Sequence, residues 1–204
     1  MSSHAWNMPL AALLLAALLL AAPHAARAQS LDLQLAETYY QYVPALADLG
    51  LGLVGVKSEN PLGDRAIELA VAYTTQIILV NALLKNVVNE ERPDGSAFNS
   101  FPSGHTATAF TGAELVRLEY GWGWGAGAYA LATTVGVMRV VHQRHHWWDA
   151  LAGVGIGILC ANVGRWSLKP IKGLFGAGTQ ADLAVAPTVD PYSGTPCAAL
   201  ALRF

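Results

Sequence analysis

Charge is unevenly spread along this chain, and several long stretches lack it entirely. Uncharged runs cover 16 residues at 69–84, 18 at 121–138 and 15 at 150–164. Together with the small, apolar run after Ser103 they predict helices at about 65–90, 103–119, 124–141 and 147–165. A further helix is expected within 33–56, broken by Pro44 and loosened by Gly50, Gly52 and Gly55. Stop signals are legible as Pro93 after the first of these and Gly121 and Gly123 after the second. Beyond 168 the pattern changes. A Gly- and Lys-bearing loop is expected at 169–180, followed by two alternating apolar stretches, LAVAPTV and CAALALRF, around the turn-rich DPYSGTP. They predict a β-hairpin with Leu200, Leu202 and Phe204 on one face. The expected fold class is therefore all-α, a bundle of about five helices with a short C-terminal β-hairpin. The terminal Phe is a feature of outer-membrane barrel strands, but one hairpin is far short of the eight strands a barrel requires.

At the N-terminus an apolar run ends in Ala26-Arg27-Ala28 before Gln29. This reads as a secretory signal cleaved after Ala28, with an uncleaved anchor as the alternative because the leading residues carry no Lys or Arg. The expected organisation is a signal at 1–28, a helical domain at 29–168 and a tail at 169–204. Hydrophobic residues make up 53% of the chain and charged residues 13%, as suits helices buried against one another or against lipid. The formal charge of −2 leaves no basic stripe for a phosphate backbone, which excludes nucleic acid as a partner. The uncharged runs lie near the lower length limit for a membrane span, about 17 residues, and Trp122, Trp124, Trp147 and Trp148 flank two of them. Membrane association on the periplasmic side is therefore favoured over a soluble periplasmic protein; the oligomeric state stays open. Cys160 and Cys197 can pair after export, but Cys160 sits in an apolar run that suits a buried free thiol.

Against this sparse background, three segments concentrate the chemistry: KNVVNEERP, FPSGH and RVVHQRHHWWD. Lys85 and Arg92 are seven apart, which on one helix puts them on one face about 10.5 Å apart along the axis. Both can converge on an anion, although Glu90 and Glu91 also allow an ordinary solvated helix end. Ser103 is a natural N-cap, Gly104 permits close backbone approach, and amides at a helix start bind anions. His105 stands in that first turn. Arg139 and His145 are six apart and can share a ligand only if the helix breaks between them, so Arg139 is expected in a last turn and His145 at the next start. Asp149, four residues on, can accept a proton from one imidazole nitrogen and leave the other as a nucleophile. His142, His145 and His146 raise the question of a metal, but Lys85, Arg92, Arg139 and Arg144 would repel a cation. Arg144 is either a spare phosphate contact or merely exposed.

These segments, in this order, resemble the type 2 phosphatidic acid phosphatase (PAP2) superfamily, whose pattern is K-x6-RP, PSGH and SR-x5-H-x3-D. Lys85, Arg92 and Pro93 match the first element, Pro102 to His105 the second, and Arg139, His145 and Asp149 the third. The resemblance covers roughly 65–165. Met138 stands where the family has Ser, and only eight residues separate Pro93 from Pro102, a short connection for this family.

The resemblance implies a helical bundle with the three segments at one end. His145 would be the nucleophile that forms a phosphohistidine, Asp149 its orienting partner and His105 the general acid and base. Lys85, Arg92, Ser103, Gly104 and Arg139 would bind phosphate, with no metal and no cofactor. The implied substrate is a phosphorylated lipid, such as undecaprenyl diphosphate, phosphatidate, phosphatidylglycerol phosphate or lipid A. The alternative is a small phosphate ester of the kind soluble periplasmic relatives hydrolyse. More remote are a vanadium-dependent haloperoxidase, with His145 as axial ligand, and a non-catalytic envelope protein.

Overall fold

The computed structural model describes residues 38–174, 182–189 and 196–203. The expected signal at 1–28 lies outside them. The helices are α1 (Val43–Leu53), α2 (Leu62–Val87), α3 (Gly104–Tyr120), α4 (Trp122–Val141) and α5 (Trp147–Leu174). The described chain is thus the helical bundle expected. Two C-terminal strands, β1 (Asp182–Val189) and β2 (Pro196–Arg203), pair antiparallel with Leu183 opposite Leu202.

α3 is the axis of the bundle. Alanine, threonine and glycine make most of its length thin, and it is buried on nearly every side, from Thr106 through Val116. α4 covers one flank, where Phe110, Ala113 and Val116 meet Ala128, Ala132 and Val135. α5 lies against the other. Side chains at Gly153 and Gly157 of α5 would fall 2.7 Å from the Ser103 carbonyl and 2.6 Å from the Ala107 carbonyl. Those two contacts advance together along both helices, so α3 and α5 run parallel. Gly164 of α5 comes equally close to the Glu68 carbonyl of α2, early in that helix, so α2 runs the opposite way. The same holds for α4, whose Gly125 abuts Arg117 near the end of α3 and whose Gly136 abuts Thr106 near its start. One end of the bundle therefore collects the ends of α2 and α4 and the starts of α3 and α5.

The other end is closed by buried polar side chains. Arg65 donates to the Asp48 carbonyl at 2.6 Å and to the Tyr120 hydroxyl, while Arg165 bridges Glu68 at 3.2 Å and Glu119 at 2.6 Å. Asn60 Nδ2 adds bonds to the same two carboxylates.

Several boundaries differ from those the sequence predicts. Pro44 does not break α1: it occupies the first turn, where its missing N–H loses nothing. α2 ends at Val87 rather than near 90, and its stretch Ile78–Leu84 is a π-helix. α5 continues to Leu174, through the segment 169–174 that was expected as loop and beyond the expected boundary at 168. Pro170 is tolerated there because the turn it disturbs faces outward at Trp166, and Lys172 Nζ ties the final turn to Asp64 of α2 at 2.7 Å. Cys160 is a buried free thiol. α2 and α5 are both long and apolar enough to cross a membrane, with most of each apolar window outside the core.

The glycine contacts give a matched pair of tests. Gly157→Ala drives a methyl into the Ala107 carbonyl, whereas Gly155→Ala points into open space on the same helix. The first is expected to lose about 1–3 kcal/mol, as overpacked sites do, or about 3–10 °C in melting temperature. The second should be neutral or slightly stabilising, since alanine is the better helix former. Thermal melts followed by circular dichroism check both, and equal effects would mean that α3 and α5 are not in close contact.

Candidate active site

All three sequence segments meet at the end where α3 and α5 begin. Lys85 leaves α2 just after the π-helix, in the last turn. A methyl group at Gly104 would lie 3.9 Å from Lys85 Nζ and 3.7 Å from Val80, so the ammonium stands beside the first turn of α3. Lys85 feels the positive charges of both Arg92 and Arg139. The three cations therefore converge, but not by the expected route. Because α2 stops at Val87, Arg92 does not share a helix face with Lys85; it lies in the following loop. There its N–H donates to the Ala97 carbonyl at 2.9 Å and its own carbonyl accepts from Gly95 at 2.9 Å. That short loop is laced to the segment before α5: Asp94 N–H donates to the Gln143 carbonyl at 3.2 Å, and Arg144 pairs with Asp94 at 3.2 Å. Arg144 is thus a loop staple.

The helix breaks between Arg139 and His145 as expected. Arg139 is in the last turn of α4, Gln143 takes a left-handed conformation at φ 54°, and α5 starts at Trp147. The Arg139 carbonyl accepts from the N–H groups of Arg144 and His145, at 3.0 and 3.2 Å, which closes the turn. His145 is 2% exposed.

The partner of the His145 imidazole differs from the one expected. Nδ1 lies 2.7 Å from the Ser100 carbonyl and 3.7 Å from Asp149 Oδ2, too far for a hydrogen bond to the carboxylate. A carbonyl only accepts, so Nδ1 carries the proton and Nε2 of the neutral ring is left with its lone pair. Asp149, fully buried, acts one step back. Its Oδ2 accepts from Ser100 Oγ at 2.5 Å and from the His146 N–H at 2.8 Å. Ser100 N–H in turn donates to the Glu90 carbonyl at 2.9 Å. Ser100 went unrecognised in the sequence because its main service is a backbone carbonyl, which every residue carries.

Burial, then the charge of Arg139, pushes the His145 pKa from 6.5 down to about 4; the Ser100 hydrogen bond and the Asp149 charge oppose this without cancelling it. The ring is therefore neutral at neutral pH.

Ser103 caps α3, as its sequence position predicts: its hydroxyl accepts from Thr106 N–H at 3.5 Å and pairs with the Thr106 hydroxyl at 2.9 Å. Its N–H donates to the Asp149 carbonyl at 3.1 Å. The hydroxyl of this buried residue is thus taken up by the cap within α3, while its N–H joins α3 to α5. His105 is half-buried in the first turn of α3. The starts of α3 and α5 both direct the positive ends of their dipoles here.

Residues 65–170 match the family described as the PAP2 superfamily, and the chain belongs to that family. It is 39% identical over 130 residues to a lipid A 1-phosphatase of Porphyromonas gingivalis, a match covering 62% of this chain and 29% of the relative. The chain thus spans less than a third of that relative's length. The crystal structure of Aquifex aeolicus LpxE superposes with a TM-score of 0.53 at 23% identity, covering 68% of this chain and 88% of that one. That likeness is one of fold.

The lowered His145 pKa fixes a sign. Below pH 6.5 the unfolded chain takes up a proton that the folded site refuses, so this contribution to stability is complete above 6.5, declines as pH falls through it and levels off near 4. An NMR titration of the imidazole, assigned by its loss in His145→Gln, should be flat from pH 8 to about 5.5. A midpoint near 6.5 would contradict the buried, neutral ring.

Proposed function

We propose that this PAP2-superfamily member is a phosphatase acting on lipid-borne phosphate through a phosphohistidine on His145. The observation that carries the reading is the tautomer: an imidazole held by Nδ1 on the Ser100 carbonyl, neutral, and set among Lys85, Arg92 and Arg139. Nε2 attacks phosphorus and the bond to the leaving oxygen breaks, that oxygen taking a proton from His105. His105 then removes a proton from water, whose oxygen attacks the phosphohistidine and releases inorganic phosphate and the free imidazole. Lys85, Arg92, Arg139 and the Gly104 amide stabilise the charge on the transferring group. Fixed cations serve here where other phosphoryl-transfer sites use a metal.

Lipid is favoured by the surface around the site. Val87, Phe98, Val141, Trp147 and Trp148 are large, apolar and exposed, and each belongs to a segment that carries a site residue. Among the described residues, α2 and α5 are the two helices both long and apolar enough to cross a membrane. The match to a protein named lipid A 1-phosphatase makes a phosphorylated glycolipid the first substrate to try. The working side is the periplasmic face of the membrane, in keeping with the signal expected at 1–28.

The test is phosphate release from lipid A, undecaprenyl diphosphate, phosphatidic acid and a soluble aryl phosphate, all in EDTA. Wild type should turn over at least one lipid faster than the aryl phosphate, and His145→Ala should fall to background. Turnover retained in His145→Ala would overturn the nucleophile assignment. A faster aryl phosphate would favour the soluble-ester alternative.

Ser100→Ala keeps the carbonyl but frees it from Asp149. A drop of about 10–100-fold in kcat with little change in KM is expected, since a small misplacement of the reacting group is costly. Wild-type kcat would mean that the link to Asp149 does not position the ring.

A further inference from the structure

We propose that Glu90, His146 and Asp149 form a binding site for a divalent transition cation of the zinc class, adjoining the phosphate site and sharing Asp149 with its support. Each residue offers one ligand atom, and the three atoms lie within 4.8 Å of one another. His146 Nδ1 is 3.5 Å from Glu90 Oε1 and 3.4 Å from Asp149 Oδ2, yet it is shielded from solvent and makes no hydrogen bond to either. Those distances are long for a hydrogen bond. They are close to the edge of a tetrahedron around zinc, about 3.3 Å for ligand bonds near 2.0–2.1 Å. A ring nitrogen almost equally distant from two carboxylate oxygens, and hydrogen-bonded to neither, suits a cation held among the three. Independently, Asp149 Oδ1 is wholly buried and has no hydrogen-bond partner among the described residues, although Asp149 is 0% exposed.

The ligand chemistry narrows the cation. One imidazole and two carboxylates suit zinc and its neighbours, with a water as fourth ligand, whereas calcium and magnesium prefer an all-oxygen shell. Two carboxylates and a neutral imidazole balance a dication. The surroundings already hold the ligands in place. Trp148 Nε1 donates to Glu90 Oε1 at 2.7 Å, and the indole stacks on the His146 ring at 4.4 Å and 7°. Such outer contacts orient metal ligands. Of the histidine trio suggested by the sequence, only His146 belongs to this group.

Asp149 belongs to both arrangements. A cation drawing on its carboxylate competes with Ser100 Oγ, which positions the carbonyl against His145, so bound zinc slows turnover. Only this effect rests on the phosphatase reading; the binding does not.

The full chain, stripped with chelator, would be titrated with Zn²⁺ by calorimetry and with Co²⁺ by visible absorption, beside His146→Ala and Glu90→Gln. Wild type should bind one equivalent, with the intense cobalt spectrum of a four-coordinate site. Each variant, confirmed as helical by circular dichroism, should bind at least tenfold more weakly and lose that spectrum. No saturable binding by wild type would overturn the site. Unchanged binding in both variants would overturn it too, placing the ion elsewhere. Zinc binding with no phosphate release from any substrate would uphold the site and remove the phosphatase reading.

Discussion

The hydrogen bond between His145 Nδ1 and the Ser100 carbonyl depends on a loop residue being held as firmly as a helix. Ser100 is fixed at all three of its polar groups: the N–H on the Glu90 carbonyl, the hydroxyl on Asp149 and the carbonyl on His145. A carbonyl is a useful anchor because it cannot donate. It dictates which nitrogen keeps the proton, and a buried ring among arginines has little tendency to gain a second. Position, tautomer and charge state of the imidazole thus follow from one contact and its burial.

That contact exists because two helices start side by side. Gly153 and Gly157 let α5 lie against the backbone of α3, and this brings Asp149 to the foot of Ser103, whose N–H it receives. The parallel arrangement has an electrostatic result. Two helix starts present positive dipole ends at the same place, while the adjoining ends of α2 and α4 carry Lys85 and Arg139 against their negative ends. Every helix end at the site is thereby adapted to an anion.

Features set by local chemistry were legible in the sequence. Ser103 as cap, Gly121 as stop, and the break that separates Arg139 from His145 follow from residue type and spacing, and the structure has all three. Features set by distant contacts were not. Nothing local announces that α2 widens into a π-helix and stops at Val87, short of the end near 90 that the sequence predicts. The spacing of His145 and Asp149 pointed to a direct pair, but a third residue 45 positions from His145 came between them in function. The segment 169–174 read as loop because what fastens it, the pairing of Lys172 with Asp64, joins residues 108 positions apart in the chain.

The π-helix makes α2 sensitive to length in a way its neighbours are not. Over Ile78–Leu84 the backbone accommodates more residues per turn than an α-helix does, and Lys85 follows at once. Relaxing those seven residues to the α form without removing one would rotate everything beyond them by about 100°. Lys85 would swing away from Gly104 while the rest of the bundle stayed intact. The extra residue therefore sets the phase between the scaffold and its first cation, and relatives with an uninterrupted α2 would need their lysine at a different register.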